Sequence, residues 1–286
     1  MEFDCVVVRQ NMLAELCGAG LWDSERNSEV IQTPPLTEFT PELLEKIRGK
    51  NVLIAGGYYN KSMKPILEAA KSVFVFYNSS DEPAREEHKF YQIEHADGFA
   101  TWTANKVGID ASDFHFKIAK YLDDYQYGYP SEEALCFQNG VYVIDKSTDY
   151  EKLMSIGNIE QVIEAGRQKR ISNMRIAEQR LKGALEFSVL VDKPCGALTA
   201  IGDSPIVDTC LLLAEKSKGG IGFLFRYDLA KNKTFISCRV NEQSGLDAGK
   251  IMQKLVGGGG SKPMGGGSID GLIFPGEFFS ERQLKS

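Results

Sequence analysis

From residue 5 to residue 76 the chain alternates short apolar runs with stretches of helical pattern, and few folds besides a parallel sheet covered by helices accept that alternation. Residues 5–8 read as the first strand. Thr40 caps a helix over 41–47, because its hydroxyl can accept from a free amide and Pro41 is tolerated at the first helical position. Residues 51–55 read as strand, 64–71 as helix and 73–76 as strand, before a loop of turn formers, Asn78-Ser79-Ser80-Asp81. The series is a βαβαβ unit. Helices are expected over 98–107 and 113–121, and the tyrosine- and glycine-rich stretch 125–130 reads as an ordered loop.

The second half changes character. Over 159–185, Ile163, Ile171, Met174, Ala177, Leu181 and Leu185 recur at helical spacing with no proline, which predicts one long connecting helix. Its 160–182 stretch holds six basic residues (Arg167, Lys169, Arg170, Arg175, Arg180, Lys182) against three acidic ones (Glu160, Glu164, Glu178), read as a solvated helix face. Strands are expected over 187–191, 197–201, 221–227 and 234–240, with helices over 204–216 and 248–256. The chain thus divides into a first α/β domain, 1–158, a connecting helix, 159–185, and a smaller α/β domain, 186–286.

After the last helix stand Gly257, Gly258, Gly259, Gly260, Ser261 and Lys262, then Pro263-Met264 and Gly265-Gly266-Gly267-Ser268. Such glycines read either as a flexible linker or as a loop whose amides close on a phosphate. Residues 269–279 are apolar enough to pack, so the loop is held at both ends and the phosphate cradle fits better.

Hydrophobic residues make up 43% of the 286 and charged residues 25%, which excludes disorder and leaves a chain long enough for two cores. A formal net charge of -6 excludes duplex binding through overall charge, so any nucleic-acid contact has to come from a local patch. The start MEFDCVVVRQ lacks the basic opening and long apolar stretch of a signal peptide, and no run of about 18 apolar residues occurs. A soluble intracellular protein is expected, in cytoplasm, nucleus or virion interior, with no membrane partner. Six cysteines, Cys5, Cys17, Cys136, Cys195, Cys210 and Cys238, form no C-x-x-C pair and read as reduced. Trp22 and Trp102 read as core, His115 as a surface histidine, and Cys17 as too poorly activated for a nucleophile. No dinucleotide fingerprint, Walker loop or nucleophile elbow stands in a strand-to-helix context.

The stretch 234–239 (TFISCR), the helix start Gly245-Leu246-Asp247-Ala248-Gly249-Lys250-Ile251 and the run 257–267 together resemble the DHHA1 domain of DHH-family phosphoesterases. Ser237 and Arg239 match that family's S-x-R strand, and four glycines match its G-G-G-G-H, with Ser261 in place of the histidine. The resemblance implies a Rossmann-like parallel-sheet DHH domain, a connecting helix and a DHHA1 domain, the order read above. It also implies two metal ions, usually manganese, held by carboxylates and histidines and activating water against a phosphodiester or pyrophosphate bond.

The ligand positions depart from that pattern. The H-x-x-D-x-D-G motif falls on residues 9–15, with Arg9, Met12 and Ala14 where ligands belong. The aspartate after the second strand corresponds to Gly56, the D-H-H to Tyr77, Asn78 and Ser79, and the late aspartate to Gln126. The expectation is a pseudoenzyme without metal cofactor, whose substrate contacts are Ser237, Arg239, Gly257, Gly258, Gly259, Gly260, Ser261 and Lys262. Arg9 either replaces the missing cations against a phosphate or pairs with Glu15 or Asp124. The ligand expected is a nucleotide, a dinucleotide or a short single-stranded oligonucleotide. Two alternatives remain: a scaffold with a filled cleft, as inactive relatives in replication imply, with a homodimer or protein partner, and a phosphodiesterase with a metal site relocated to His88, His95 and Asp97.

Overall fold

The computed structural model describes residues 2–10, 12–33, 39–55, 62–78, 86–144, 153, 155–188 and 196–281. The chain forms two units, 1–167 and 168–286.

In the first unit, strands β1 (Cys5–Arg9), β2 (Glu29–Thr33), β3 (Asn51–Ala55), β4 (Ser72–Tyr77) and β5 (Tyr91–His95) form a parallel sheet in the order β2-β1-β3-β4-β5. Successive side chains of a strand point to opposite faces, so runs such as Cys5-Val6-Val7-Val8 feed two cores at once. Val6, Val8, Leu53, Ala55, Phe74 and Phe76 pack on helices α1 (Leu13–Arg26), α4 (Phe99–Val107) and α5 (Phe114–Tyr127). Cys5, Val7, Val52, Ile54, Val73 and Val75 pack on α2 (Pro41–Ile47) and α3 (Lys64–Ala69). On the first side Trp22 stacks on Trp102 with ring centroids 6.1 Å apart, so both tryptophans are core as expected. Helices α6 (Glu132–Ile144) and α7 (Ile159–Lys182) follow, and the division between units falls inside α7.

Four elements of the first unit escape the sequence reading: α1, β2, β5 and α6. The expected loop over 125–130 is corrected as well, because α5 continues through Tyr127 and is closed by Gly128. Asp123 and Gln126 lie on the buried face of that helix, and these two polar residues break the apolar period that would have announced it.

The second unit carries a six-stranded sheet of β6 (Leu185–Ser188), β7 (Gly196–Ile201), β8 (Ile221–Asp228), β9 (Lys233–Val240), β10 (Gly259–Ser261) and β11 (Met264–Asp270), ordered β10-β11-β9-β8-β7-β6. Only β7 and β8 run parallel, joined by α8 (Ile206–Lys216), while every other pairing is antiparallel. Helices α9 (Ala248–Val256) and α10 (Pro275–Glu281) cover one face through Ile251, Met252, Leu255, Phe278 and Phe279. Of residues 269–279, Ile269, Ile273, Phe278 and Phe279 pack, while Leu272 and Phe274 are exposed. The other face carries Ala200 and Leu224 against Cys210 and Leu213 of α8. The long helix ends at Lys182, three residues short of the expected 185, because Leu185 opens β6.

The glycine stretch is neither a flexible linker nor a loop. Gly259 to Ser261 and Met264 onward pair as a hairpin, with β11 in the sheet interior against β9. An added Cβ on Gly265 would lie 2.4 Å from the Ala248 carbonyl, and one on Gly267 would lie 2.4 Å from Val256. Bare backbone is what lets α9 lie this close to the sheet. None of the described helices is long and apolar enough to cross a membrane.

Candidate functional site

In a parallel sheet with helices on both faces, ligands bind beyond the carboxyl ends of the strands. Arg9 ends β1, and Glu15 sits in the first turn of α1, fully buried. The Arg9 guanidinium forms an ion pair with Glu15: Nε lies 2.9 Å from Oε1 and 3.2 Å from Oε2, and Nη2 also donates to Oε1. The Arg9 backbone amide donates to Oε2 at 2.9 Å, and the Tyr127 hydroxyl donates to Oε1 at 2.9 Å. Burial first, then the Glu15 carboxylate, holds the Tyr127 phenol well above its ordinary range, so it remains a donor. Of the partners open to Arg9, the structure shows Glu15.

Asp123, Gln126 and Tyr127 share one face of α5 at helical spacing, and each reaches a neighbouring helix start. Gln126 Oε1 accepts from the Ala14 amide at 3.2 Å, while its Nε2 is buried with no partner among the described residues. Asp123 accepts from the amides of Ala100 and Thr101 at 3.2 and 2.6 Å, which caps α4. Burial pushes its carboxyl up to about 7, against the lowering pull of those donors. Sequence reasoning missed Asp123 and Tyr127. The polar spacing D-x-x-Q-Y inside an otherwise apolar helix face is the signal that would have found them.

These residues do not fit a divalent cation. Glu15 already receives a guanidinium, an amide and a phenol, and both oxygens of Asp123 accept from amides. Met12 precedes α1, Ala14 is buried, Tyr77 ends β4 beside the His95 ring, and the Asn78 side chain donates to the Asp97 carbonyl at 3.4 Å. Gly56 and Ser79 lie outside the described residues. His88, His95 and Asp97 are exposed, and no group of three His, Cys, Asp or Glu side chains gathers among the described residues. Burial drives the thiols of Cys5 and Cys210 up to about 12, Cys17 higher still and Cys238 well above its ordinary value, so these four are poor nucleophiles.

In the second unit the register brings the expected phosphate contacts onto one sheet face. Ser237 of β9 pairs with Gly266, which pairs with Gly259, and Arg239 pairs with Met264, which pairs with Ser261. Ser237 is half-buried and Arg239 buried. Gly266 points the same way, and a Cβ there would meet only the Ile236 carbonyl at 3.5 Å. Gly257 instead caps α9 in the left-handed region at φ 63°, and exposed Lys262 lies in the hairpin turn, its carbonyl accepting from the Ala248 amide at 2.8 Å. A Cβ on Gly258 or Gly260 would lie 2.2 or 2.1 Å from carbonyls of β11, so these two glycines serve the hairpin's own packing.

Neither a protein-family model nor a curated protein sequence matches the chain. Solved structures do match. RecJ from Thermus thermophilus, in complex with Mn2+, aligns with a TM-score of 0.56 at 10% identity, over 98% of this chain and 53% of that one. This chain therefore spans about half the length of RecJ. An exopolyphosphatase-related protein from Bacteroides fragilis aligns with a TM-score of 0.50 at 12% identity, over 95% of this chain and 88% of that one. The pGpG-specific phosphodiesterase PggH from Vibrio cholerae covers 93% of this chain and 92% of its own at 12% identity and a TM-score of 0.45. With a five-stranded parallel sheet, a long helix and a second mixed sheet in that order, this chain has the fold of the DHH-family phosphoesterases.

Proposed function

We propose that this chain binds the phosphate of a nucleotide, a dinucleotide or a short single-stranded oligonucleotide through its second sheet and does not hydrolyse it. The carrying observation is the Arg9–Glu15–Tyr127 cluster: a guanidinium, an amide and a phenol already donate to the Glu15 carboxylate beside the end of β1. Phosphate chemistry is supported by the folds it shares with a Mn2+-bound RecJ and an exopolyphosphatase-related protein. The contacts proposed are Ser237, Arg239 and Ser261, which the register places on one face beside the bare backbone of Gly259 and Gly266.

Fluorescence anisotropy of a labelled, 5′-phosphorylated short oligonucleotide, titrated with and without manganese, tests this. Saturable binding that ignores manganese and weakens at least tenfold in Arg239→Ala is expected, since a charge-assisted hydrogen bond contributes about 1.5 to 3 kcal/mol. Unchanged affinity in that variant, or manganese-dependent shortening of the oligonucleotide, defeats the reading.

A scaffold role is the second reading, supported by the glycines themselves: Gly258, Gly260, Gly265 and Gly267 are all accounted for by close packing without any ligand. Absence of binding at high micromolar protein, together with a concentration-dependent mass in sedimentation, would favour it.

A further inference from the structure

Strand β5 closes one side of the parallel sheet, and β4 is the strand that pairs with it. Successive residues of such an edge strand turn their amides and carbonyls alternately toward the neighbour and away from it. The Phe90 carbonyl accepts from the Val73 amide at 2.9 Å, and the Ala96 amide donates to the Tyr77 carbonyl at 3.3 Å, so the even-numbered residues face β4. The Tyr91 amide turns the other way, to the His88 carbonyl at 3.1 Å. Ile93 and His95 accordingly present their backbone groups to the open edge. Sheet edges are commonly blunted by proline, lysine or a bulge, and Tyr91–His95 carries none of the three. Phe90, at its start, is 50% exposed.

This edge is complementary to a second copy of itself. Antiparallel pairing about a two-fold axis matches outward groups with outward groups only when the axis passes through a residue, not between two. An axis through Ile93 sets Ile93 against Ile93, joined by a mutual pair of backbone bonds, and Tyr91 against His95. On the α4 face it sets Gln92 against Glu94, an amide against a carboxylate, and Phe90 against the small Ala96. One step further out, Lys89 meets Asp97 of the other copy, and the axis repeats that pair. An axis through Glu94 would place two carboxylates face to face, and one through Gln92 would set Glu94 against Phe90. Charge and size therefore select a single register.

The groups needed are available. Lys89 and Asp97 are exposed and make no ion pair among the described residues, and Lys89 Nζ lies 5.2 Å from the centroid of the Phe90 ring. Gln92 is exposed, and Glu94 is held in place by the Trp102 indole, whose Nε1 donates to Oε1 at 2.7 Å. We propose that two copies of this chain join through β5, antiparallel about Ile93, into one continuous sheet. A second copy is the occupant because the edge matches itself in hydrogen bonds, charge and size at once. The inference is independent of the phosphate-binding reading.

Sedimentation velocity of the full chain between about 1 and 100 µM tests it, since an interface built on one strand lies at the weak end of specific contacts. A reversible monomer–dimer equilibrium that weakens with added salt is expected. Ile93→Pro removes an outward amide and leaves the ladder to β4 intact, so it should weaken the dimer about tenfold or more. Lys89→Glu and Asp97→Lys should each weaken it about fivefold or more, and a double variant carrying both changes should return to within about twofold of wild type. Circular dichroism melts identify any variant that fails to fold. The charge exchange, confined to exposed side chains, decides the matter if Ile93→Pro is among them. Folded wild type that stays monomeric over the whole range overturns the proposal. A dimer indifferent to Ile93→Pro and to both charge reversals joins through another surface and overturns it as well, as does a double variant no tighter than the single ones.

Discussion

In the parallel sheet the guanidinium at the end of β1 meets a fully buried carboxylate, whereas in the mixed sheet Arg180 and Arg226 meet a hydroxyl and a phenyl ring instead. The same side chain therefore has two physical fates in one molecule. Where Arg9 is matched from within, its charge holds α1 against β1 and α5 through Glu15 and Tyr127. Arg180 and Arg226 make no ion pair among the described residues and rest on those uncharged groups instead. A charge count along the sequence cannot separate the two, because both kinds of arginine contribute one positive charge to a chain of net charge -6.

That contrast can be broken most severely at Glu15. Glu15→Gln keeps the shape but removes the buried carboxylate that the half-buried Arg9 guanidinium pairs with, with an expected loss of about 3 kcal/mol in urea unfolding, as for other pairs cut on one side. Arg226→Gln, by comparison, should leave the unfolding midpoint nearly unchanged; a drop matching that of Glu15→Gln would mean both arginines are structural.

A second contrast lies within one strand. Gly265→Ala forces a methyl to 2.4 Å from the Ala248 carbonyl, and a loss of about 1 to 3 kcal/mol is expected as α9 is pushed off the sheet. Asp123 sharpens the picture through pH. Its carboxyl is raised from an ordinary 3.8 to about 7, so between those values the folded chain keeps a proton that the unfolded chain has lost. Stability from this group is full below about pH 4, falls as pH rises to about 7 and is level above. Asp123→Asn should flatten that part of the profile, as urea midpoints at successive pH values would show. The smallest effect belongs to Gly266→Ala, whose methyl meets only an oxygen at 3.5 Å, and a change below about 0.5 kcal/mol in stability is expected. If that variant nevertheless loses phosphate binding, the exposed face of β11 is a contact surface rather than inert backbone.

Strands buried on both sides were the most legible part of the chain, since Asn51–Ala55 and its neighbours carry unbroken apolar runs. Strand β2 was not, because EVIQT buries only Ile31 and Thr33. Helix α1 follows Met12, which offers no side-chain cap, so nothing local announces its start. The glycines were legible as a place of close approach, but the helix and the neighbouring strand that most of them admit were not. Ser237 and Arg239 were legible only through the resemblance to the S-x-R strand, and the alternation of a strand then places both on one face. The settings of Arg180 and Arg226 were not legible, since the hydroxyl, the glycine and the ring they rest on come from other elements. The basic stretch read as a solvated face divides in the same way: Arg167, Lys169, Arg175 and Lys182 are exposed, while Arg170 is half-buried against Asp208 and Arg180 lies over Gly202.

The Arg9–Glu15 pair also acts as a ratchet on the history of the chain. Changing Arg9 alone leaves a buried carboxylate without that cation, and changing Glu15 alone leaves a half-buried cation without that carboxylate. Every single-residue path from this cluster toward a different arrangement of charges thus passes through a less stable protein. Only a paired replacement, or a neighbour recruited beforehand, crosses that valley, so a lineage that once acquired the pair is held to it by folding rather than by use.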